Sequence, residues 1–310
     1  MHWRGLLAGL TLLLAACAEG GPGAPPDATP ATTPGAQRGG AMGPATGRWR
    51  EQTHQVPVLA ANGATRLIRM RLCRPEGVEA APLVLINHGS PPNSADRAGF
   101  VPTRCESEAA RWFLTRGFAV GAPLRRGYGA SGGAYVEGSS CPGADYFASG
   151  QEGARDIAGA LAYARALPAV DASRPAVVVG QSAGGWAALG LSGQNPEGVG
   201  AVISMAGGRG GWSNGPNTNC RPDKLASDAG RFGTTARLPT LWVYTENDSY
   251  FAPAIAHAMH RAYTGAGGLA ELHQLGPWGR DGHGLFFGQN GSETWGPLAE
   301  AFLRQRSLMP

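Results

Sequence analysis

The chain has 310 residues, 43% of them hydrophobic, with 26 Lys and Arg against 22 Asp and Glu for a formal charge of +4. Lys224 is the only lysine, and the arginines are scattered with no basic run or aromatic-interleaved patch, which excludes a surface built to track a phosphate backbone. No nucleic-acid partner is expected.

At the N-terminus, Arg4 precedes an apolar run from Leu6 to Leu14, too short to span a bilayer and proportioned like a secretory h-region. It ends in Leu14-Ala15-Ala16-Cys17, which resembles the lipobox of bacterial lipoproteins, with residues 1–16 as signal peptide and Cys17 as the lipid-modified first residue of the mature chain. Ala18 in place of an Asp implies, by resemblance to enterobacterial sorting, a lipoprotein not held at the inner membrane. Residues 17–47 are rich in Pro, Gly, Ala and Thr and are expected to form a disordered tether that reaches about 30 Å. The expected location is the periplasm or the outer membrane, with membrane contact only through the lipid.

Residues 48–310 fit one α/β domain. Two extended stretches between Arg48 and Arg74 include the alternating Leu67 to Leu72. Strands are then expected at Leu83–Ile86, Phe118–Val120, Ala176–Val179, Ala201–Ser204, Leu241–Tyr244 and Glu271–Leu275. Helices are expected at Glu106–Thr115, Glu152–Leu167, after Ser182, at Pro253–Tyr263 and at Trp295–Leu303. Such alternation predicts a mostly parallel sheet with helices on both faces and ligands beyond the carboxyl ends of the strands. Two stretches read as irregular, Arg125–Ser149 and Gly207–Leu238, fall on that edge. Besides Cys17 there are four cysteines, an even number without metal-type spacing; of three possible pairings, Cys73 with Cys105 and Cys141 with Cys220 is the working expectation.

The pattern Gly-x-Ser-x-Gly occurs around Ser131, Ser182 and Ser213. A nucleophile elbow links a buried strand directly to a helix. Only Ser182 has that setting, between Ala176–Val179 and a small-residue helix start at Ala183; the others sit in loops. A serine hydroxyl needs a base, and the base an orienting partner. His283 stands in a glycine-flanked loop between the last strand and the last helix, at the same edge. Asp248 follows the strand Leu241–Tyr244, with Glu246 as its rival. The oxyanion hole would use the N–H of Ala183 and one from the loop Asn87-His88-Gly89-Ser90-Pro91, with Ser90 ahead of Gly89 and His88 as a structural residue.

The motifs GQSAGGW, INHGS, END and DGHGLF resemble, in this order, the α/β-hydrolase superfamily and within it the dienelactone-hydrolase-like group, across essentially all of residues 48–310. Dienelactone hydrolases proper use a cysteine where this chain has Ser182. The resemblance implies an α/β-hydrolase fold and a carboxylic ester hydrolase acting through Ser182, His283 and Asp248 on a small-molecule ester, with no metal or organic cofactor. A peptidase or amidase of the same fold and a noncatalytic binding lipoprotein are the alternatives. Tyr128, Trp186, Trp212 and Trp278 are candidates to line the pocket, and Arg125 and Arg126 either meet an anionic substrate or anchor their loop.

Overall fold

Strands covered on both faces read as continuous apolar runs, because neither side turns to water. The computed structural model describes residues 39–138 and 141–310; the signal segment, Cys17 and the expected tether up to residue 38 lie outside them. In chain order the strands are β1 (Gly40–Ala41), β2 (Gln52–Leu59), β3 (Thr65–Cys73), β4 (Leu83–Asn87), β5 (Ala119–Leu124), β6 (Ala176–Gln181), β7 (Val199–Met205), β8 (Thr240–Thr245) and β9 (Ala270–Leu275). They form one sheet ordered β1-β2-β3-β5-β4-β6-β7-β8-β9. β1, β2, β3 and β5 pair antiparallel, and every pair from β5 through β9 is parallel. β4, β5 and β8 are buried throughout, while β2 and β3 alternate buried and half-buried positions.

The helices are α1 (Glu108–Leu114), α2 (Tyr146–Arg165), α3 (Ala183–Ser192), α4 (Pro222–Gly233), α5 (Pro253–Gly265) and α6 (Gly291–Arg304). α1 and α6 cover one face of the sheet, packing Phe113, Trp295 and Phe302 against Val177, Val179 and Ile203. α2 to α5 cover the other, with Ile157, Trp186, Phe232 and Met259 around Val178, Val202 and Trp242. The three valines of β6 thus feed two cores by the two-residue period of a strand.

Three boundaries differ from the sequence reading. Chain expected to belong to the tether is already ordered at Gly40–Ala41, which pairs with His54 and Gln55. α2 begins at Tyr146 because the Asp145 side chain caps it, accepting the Ala148 N–H at 2.9 Å. α4 occupies part of the stretch read as irregular: Pro222 opens it and Leu225, Ala229 and Phe232 form its buried stripe. The disulfides are Cys73–Cys105 and Cys141–Cys220. The second joins the two long loops at the carboxyl edge of the sheet.

Candidate active site

Ser182 occupies the single residue between β6 and α3, with φ 55° and ψ −121°. A side chain held at positive φ in a turn this tight stores on the order of 1–3 kcal/mol of strain, retained only where the surroundings enforce it. The two glycines of the pentapeptide have a steric cause. A Cβ on Gly180 would lie 2.1 Å from the Gly184 carbonyl oxygen, and one on Gly184 would lie 2.3 Å from that of Asn87. The elbow therefore closes only with glycine at both positions, and Ala183 begins α3 with its N–H free of any acceptor among the described residues.

The other two serines of the pattern sit elsewhere. Ser131 is buried, accepting the Arg69 N–H at 2.9 Å and donating to the Leu124 carbonyl, so it pins its loop to β3. Ser213 lies in an exposed turn near Thr218.

Asp248 follows β8 and is buried. Its Oδ1 accepts the N–H groups of Tyr250 and Phe251 at 2.8 and 2.9 Å, and both carboxylate oxygens lie 3.1 Å from His283 Nδ1. Glu246 is exposed and makes no contact with the imidazole. The remaining imidazole nitrogen, Nε2, has no partner among the described residues, and neither does Ser182 Oγ. That link is commonly long in unliganded sites and closes with substrate. What joins the end of β6 to the His283 loop is a side chain: Gln181 Nε2 donates to the His283 carbonyl at 2.9 Å.

Two residues given no role in the sequence reading hold His283. Asp281 Oδ1 accepts the N–H groups of His283 at 3.0 Å and Ser249 at 3.1 Å, and its Oδ2 accepts the Ser249 hydroxyl. Burial would raise the Asp281 carboxyl, but these donors outweigh it and hold the group below its ordinary value. Tyr250 stacks on His283 with ring centres 4.0 Å apart, and Trp212 stacks on Tyr250 at 5.0 Å while donating from Nε1 to Ser249 Oγ. Both were legible in principle: Asp281 shares the glycine-flanked loop of His283, and Tyr250 directly follows the acid segment.

The loop after β4 lies against the elbow, so that a Cβ on Gly89 would meet Gln181 Oε1 at 2.5 Å and Ser182 Cβ at 3.1 Å. The Ser90 backbone N–H has no acceptor among the described residues. Its hydroxyl is turned into a buried network, bonded to Tyr128 OH and to Arg209 Nη1. His88 Nε2 accepts the Arg125 N–H at 3.2 Å, so Nδ1 carries the proton and donates to the Gly89 carbonyl at 2.7 Å. Burial, and then the Arg125 charge, push His88 well below its ordinary pKa, which keeps it neutral and structural.

Arg125 and Arg126 anchor rather than face a ligand. Arg125 is fully buried, pairs with Glu137 through two nitrogens and donates to the His88 carbonyl at 2.8 Å. Burial alone would lower it, but the Glu137 carboxylate wins and holds it above its ordinary value. Arg126 is clamped by Asp156 and Glu152.

Ser182 and Ala183 open onto a cavity of about 360 Å³ whose wall includes Ser90, Arg97, Tyr135, Arg209, Tyr250 and Phe251. None of the four aromatic residues expected to line it does so. Trp186 is fully buried and donates to the Tyr146 carbonyl beneath α3; Tyr128 is fully buried under the Ser90 loop, between His88, Phe100 and Tyr135; Trp212 backs Tyr250 from behind. Trp278 packs near Phe287 and Gly288. A larger groove of about 830 Å³ between α1 and α6 contains none of the candidate residues.

No protein-family model and no curated protein sequence matches the chain. Solved structures do. Est1E from Butyrivibrio proteoclasticus, solved with ferulic acid, aligns at 14% identity and TM-score 0.54 over 81% of this chain and 99% of its own. An acetyl xylan esterase from Paenibacillus sp. R4 aligns at 15% identity and TM-score 0.54 over 88% and 89%. Dipeptidyl peptidase 4 from Porphyromonas gingivalis aligns at 15% identity and TM-score 0.55 over 83% of this chain but 36% of its own. At such identities the likeness is one of fold, and these esterases and peptidases share it: the chain has the α/β-hydrolase fold.

Proposed function

We propose that the protein is a serine hydrolase acting on carboxylic esters. The observation that carries this reading is the strained elbow at Ser182 beside two loops, one after β8 and one after β9, that meet where Asp248 holds His283 by Nδ1. That contact fixes the tautomer that leaves Nε2 as the basic nitrogen. His283 takes the Ser182 proton as Oγ attacks the acyl carbon, and the N–H groups of Ala183 and Ser90 receive the developing oxyanion, aided by the positive end of α3. His283 then returns the proton to the leaving alcohol, and water releases the acyl group by the same route. Every group required belongs to the chain. Leu14-Ala15-Ala16-Cys17 and the two disulfides support export and lipid attachment as the setting.

Hydrolysis of 4-nitrophenyl butyrate by the full chain tests the reading, alongside the matching 4-nitroanilide because peptidases share the fold. Turnover of the ester that falls by several orders of magnitude in Ser182→Ala and His283→Ala is expected. Turnover that survives either substitution sinks the assignment, and faster anilide cleavage moves it to an amidase.

A further inference from the structure

Asp248 meets His283 at the ring edge, through Nδ1, and Nε2 is the nitrogen left for Ser182, so further contact with the imidazole comes through its faces. One face is covered by Tyr250, with ring centres 4.0 Å apart and planes inclined by 21°. Phe251 lies farther off, at 5.6 Å, and is tilted by 56°. The imidazole side chain is only 11% exposed, so a charge that forms on it is largely cut off from water.

Tyr250 is held for this contact from three sides. Its N–H donates to Asp248 Oδ1 at 2.8 Å, so the carboxylate that orients the imidazole edge also sets the backbone that carries the ring. Trp212 stacks on Tyr250 at 5.0 Å with planes inclined by 10°, and is itself locked by the hydrogen bond from its Nε1 to Ser249 Oγ at 2.8 Å. Gly211 packs on the stem of the ring, where a Cβ would lie 2.8 Å from Tyr250 Cβ and 2.9 Å from Cδ1. Burial, and then the Asp281 and Asp248 charges, hold the Tyr250 hydroxyl above its ordinary value, which keeps the side chain neutral.

The face of an aromatic ring carries negative partial charge and attracts a cation centred over it, more strongly where water is excluded. That attraction is small for a neutral imidazole and large for an imidazolium. His283 becomes a cation only as it takes the Ser182 proton, so the contact strengthens at the transition state, which is the condition for raising kcat. We propose that Tyr250 stabilises the imidazolium of His283 through the face of its ring, beyond holding the imidazole in place. The inference rests on the serine-hydrolase reading of Ser182 and His283. The proton passes from Ser182 Oγ to His283 Nε2, and no bond to Tyr250 forms or breaks; Tyr250 is a positioning residue that acts through His283.

The test replaces Tyr250 in the full chain by phenylalanine, 4-fluorophenylalanine and 3,4,5-trifluorophenylalanine, a series that nearly preserves the shape of the ring while it drains negative charge from the face. Hydrolysis of 4-nitrophenyl butyrate is followed, with Ser182→Ala as the blank. Tyr250→Phe should stay within about threefold of the wild type, since it keeps the face. Added fluorine should then lower kcat and kcat/KM together, by about tenfold from phenylalanine to the trifluoro ring, with KM and the thermal midpoint unchanged. A ring that only packs against the imidazole gives one rate across the series. That result, with Ser182-dependent hydrolysis intact, overturns the proposal and leaves the hydrolase standing. A loss of more than about tenfold already in Tyr250→Phe assigns the contribution to the hydroxyl and also contradicts it. A wild-type protein without Ser182-dependent turnover of ester or anilide removes the serine-hydrolase reading, and this inference with it.

Discussion

Asp281 Oδ1 accepts the backbone N–H of His283 at 3.0 Å, and the same carboxylate holds Ser249, the residue next to Asp248. One side chain thus ties the loop of Asp248 to the loop of His283. Removing the tie in Asp281→Ala should lower kcat on the order of a hundredfold with little change in KM, because misplacement of the imidazole costs the chemical step more than substrate binding. Asp281→Asn keeps an oxygen acceptor and should recover most of the loss. Steady-state kinetics normalised to the fraction of titratable serine checks both.

The strain at Ser182 has a measurable cost. Glycine tolerates φ 55° more readily than a residue with a side chain, so Ser182→Gly should be more stable than Ser182→Ala by about 1 kcal/mol, with both expected to be inactive. Chemical denaturation of the two variants gives the difference.

Glu137 pairs with two buried arginines, Arg125 and Arg209. Glu137→Gln strands both charges and should destabilise the fold by about 3–5 kcal/mol. It should also slow turnover, since Arg125 and Arg209 hold the His88 carbonyl and the Ser90 hydroxyl of the loop proposed to supply an oxyanion donor. Denaturation midpoints and kcat report the two effects separately.

His88 is held well below its ordinary pKa by burial and by Arg125. Below an ordinary histidine value of about 6.5 the unfolded chain takes up a proton there that the folded chain refuses. Its contribution to stability is therefore present above that value and is lost as pH falls toward the depressed folded value. Thermal midpoints between pH 7 and pH 5 should fall more steeply for the wild type than for His88→Gln.

The Cys141–Cys220 bridge ties together two loops that line the cavity, and both cysteines are part of the lining. A Cys141→Ser, Cys220→Ser double variant should raise KM several-fold while the sheet core remains folded. Loss of Cys73–Cys105, which ties β3 to the loop before α1, should act on stability, typically by about 2–5 kcal/mol. Paired KM and thermal measurements distinguish the two bridges.

The parallel core was legible because β4, β6 and β8 carry apolar runs, and the tight turn at Ser182 because its glycine pentapeptide lies between such a run and a small-residue helix start. α4 was hidden by the Gly, Asn and Pro residues that precede it, although Pro222 and the spacing of Leu225, Ala229 and Phe232 carry the signal. The cavity wall was misread at Tyr128 and Trp186 for a physical reason. Nearness in sequence to the carboxyl edge does not say whether a ring faces outward, and both rings found buried hydrogen-bond partners instead. The share of Glu137 between Arg125 and Arg209 joins residues far apart in the chain, which no local pattern reveals. Glu137 is nevertheless the one acid between Arg126 and Asp145.

The most direct measurement is labelling of the purified full chain with a fluorophosphonate, with the modified peptide mapped by mass spectrometry, in the wild type, Ser182→Ala and His283→Ala. The account predicts stoichiometric modification of Ser182, absent in Ser182→Ala and slowed by orders of magnitude in His283→Ala. A folded wild-type protein that leaves Ser182 unmodified, or that is modified at the same rate without His283, contradicts it.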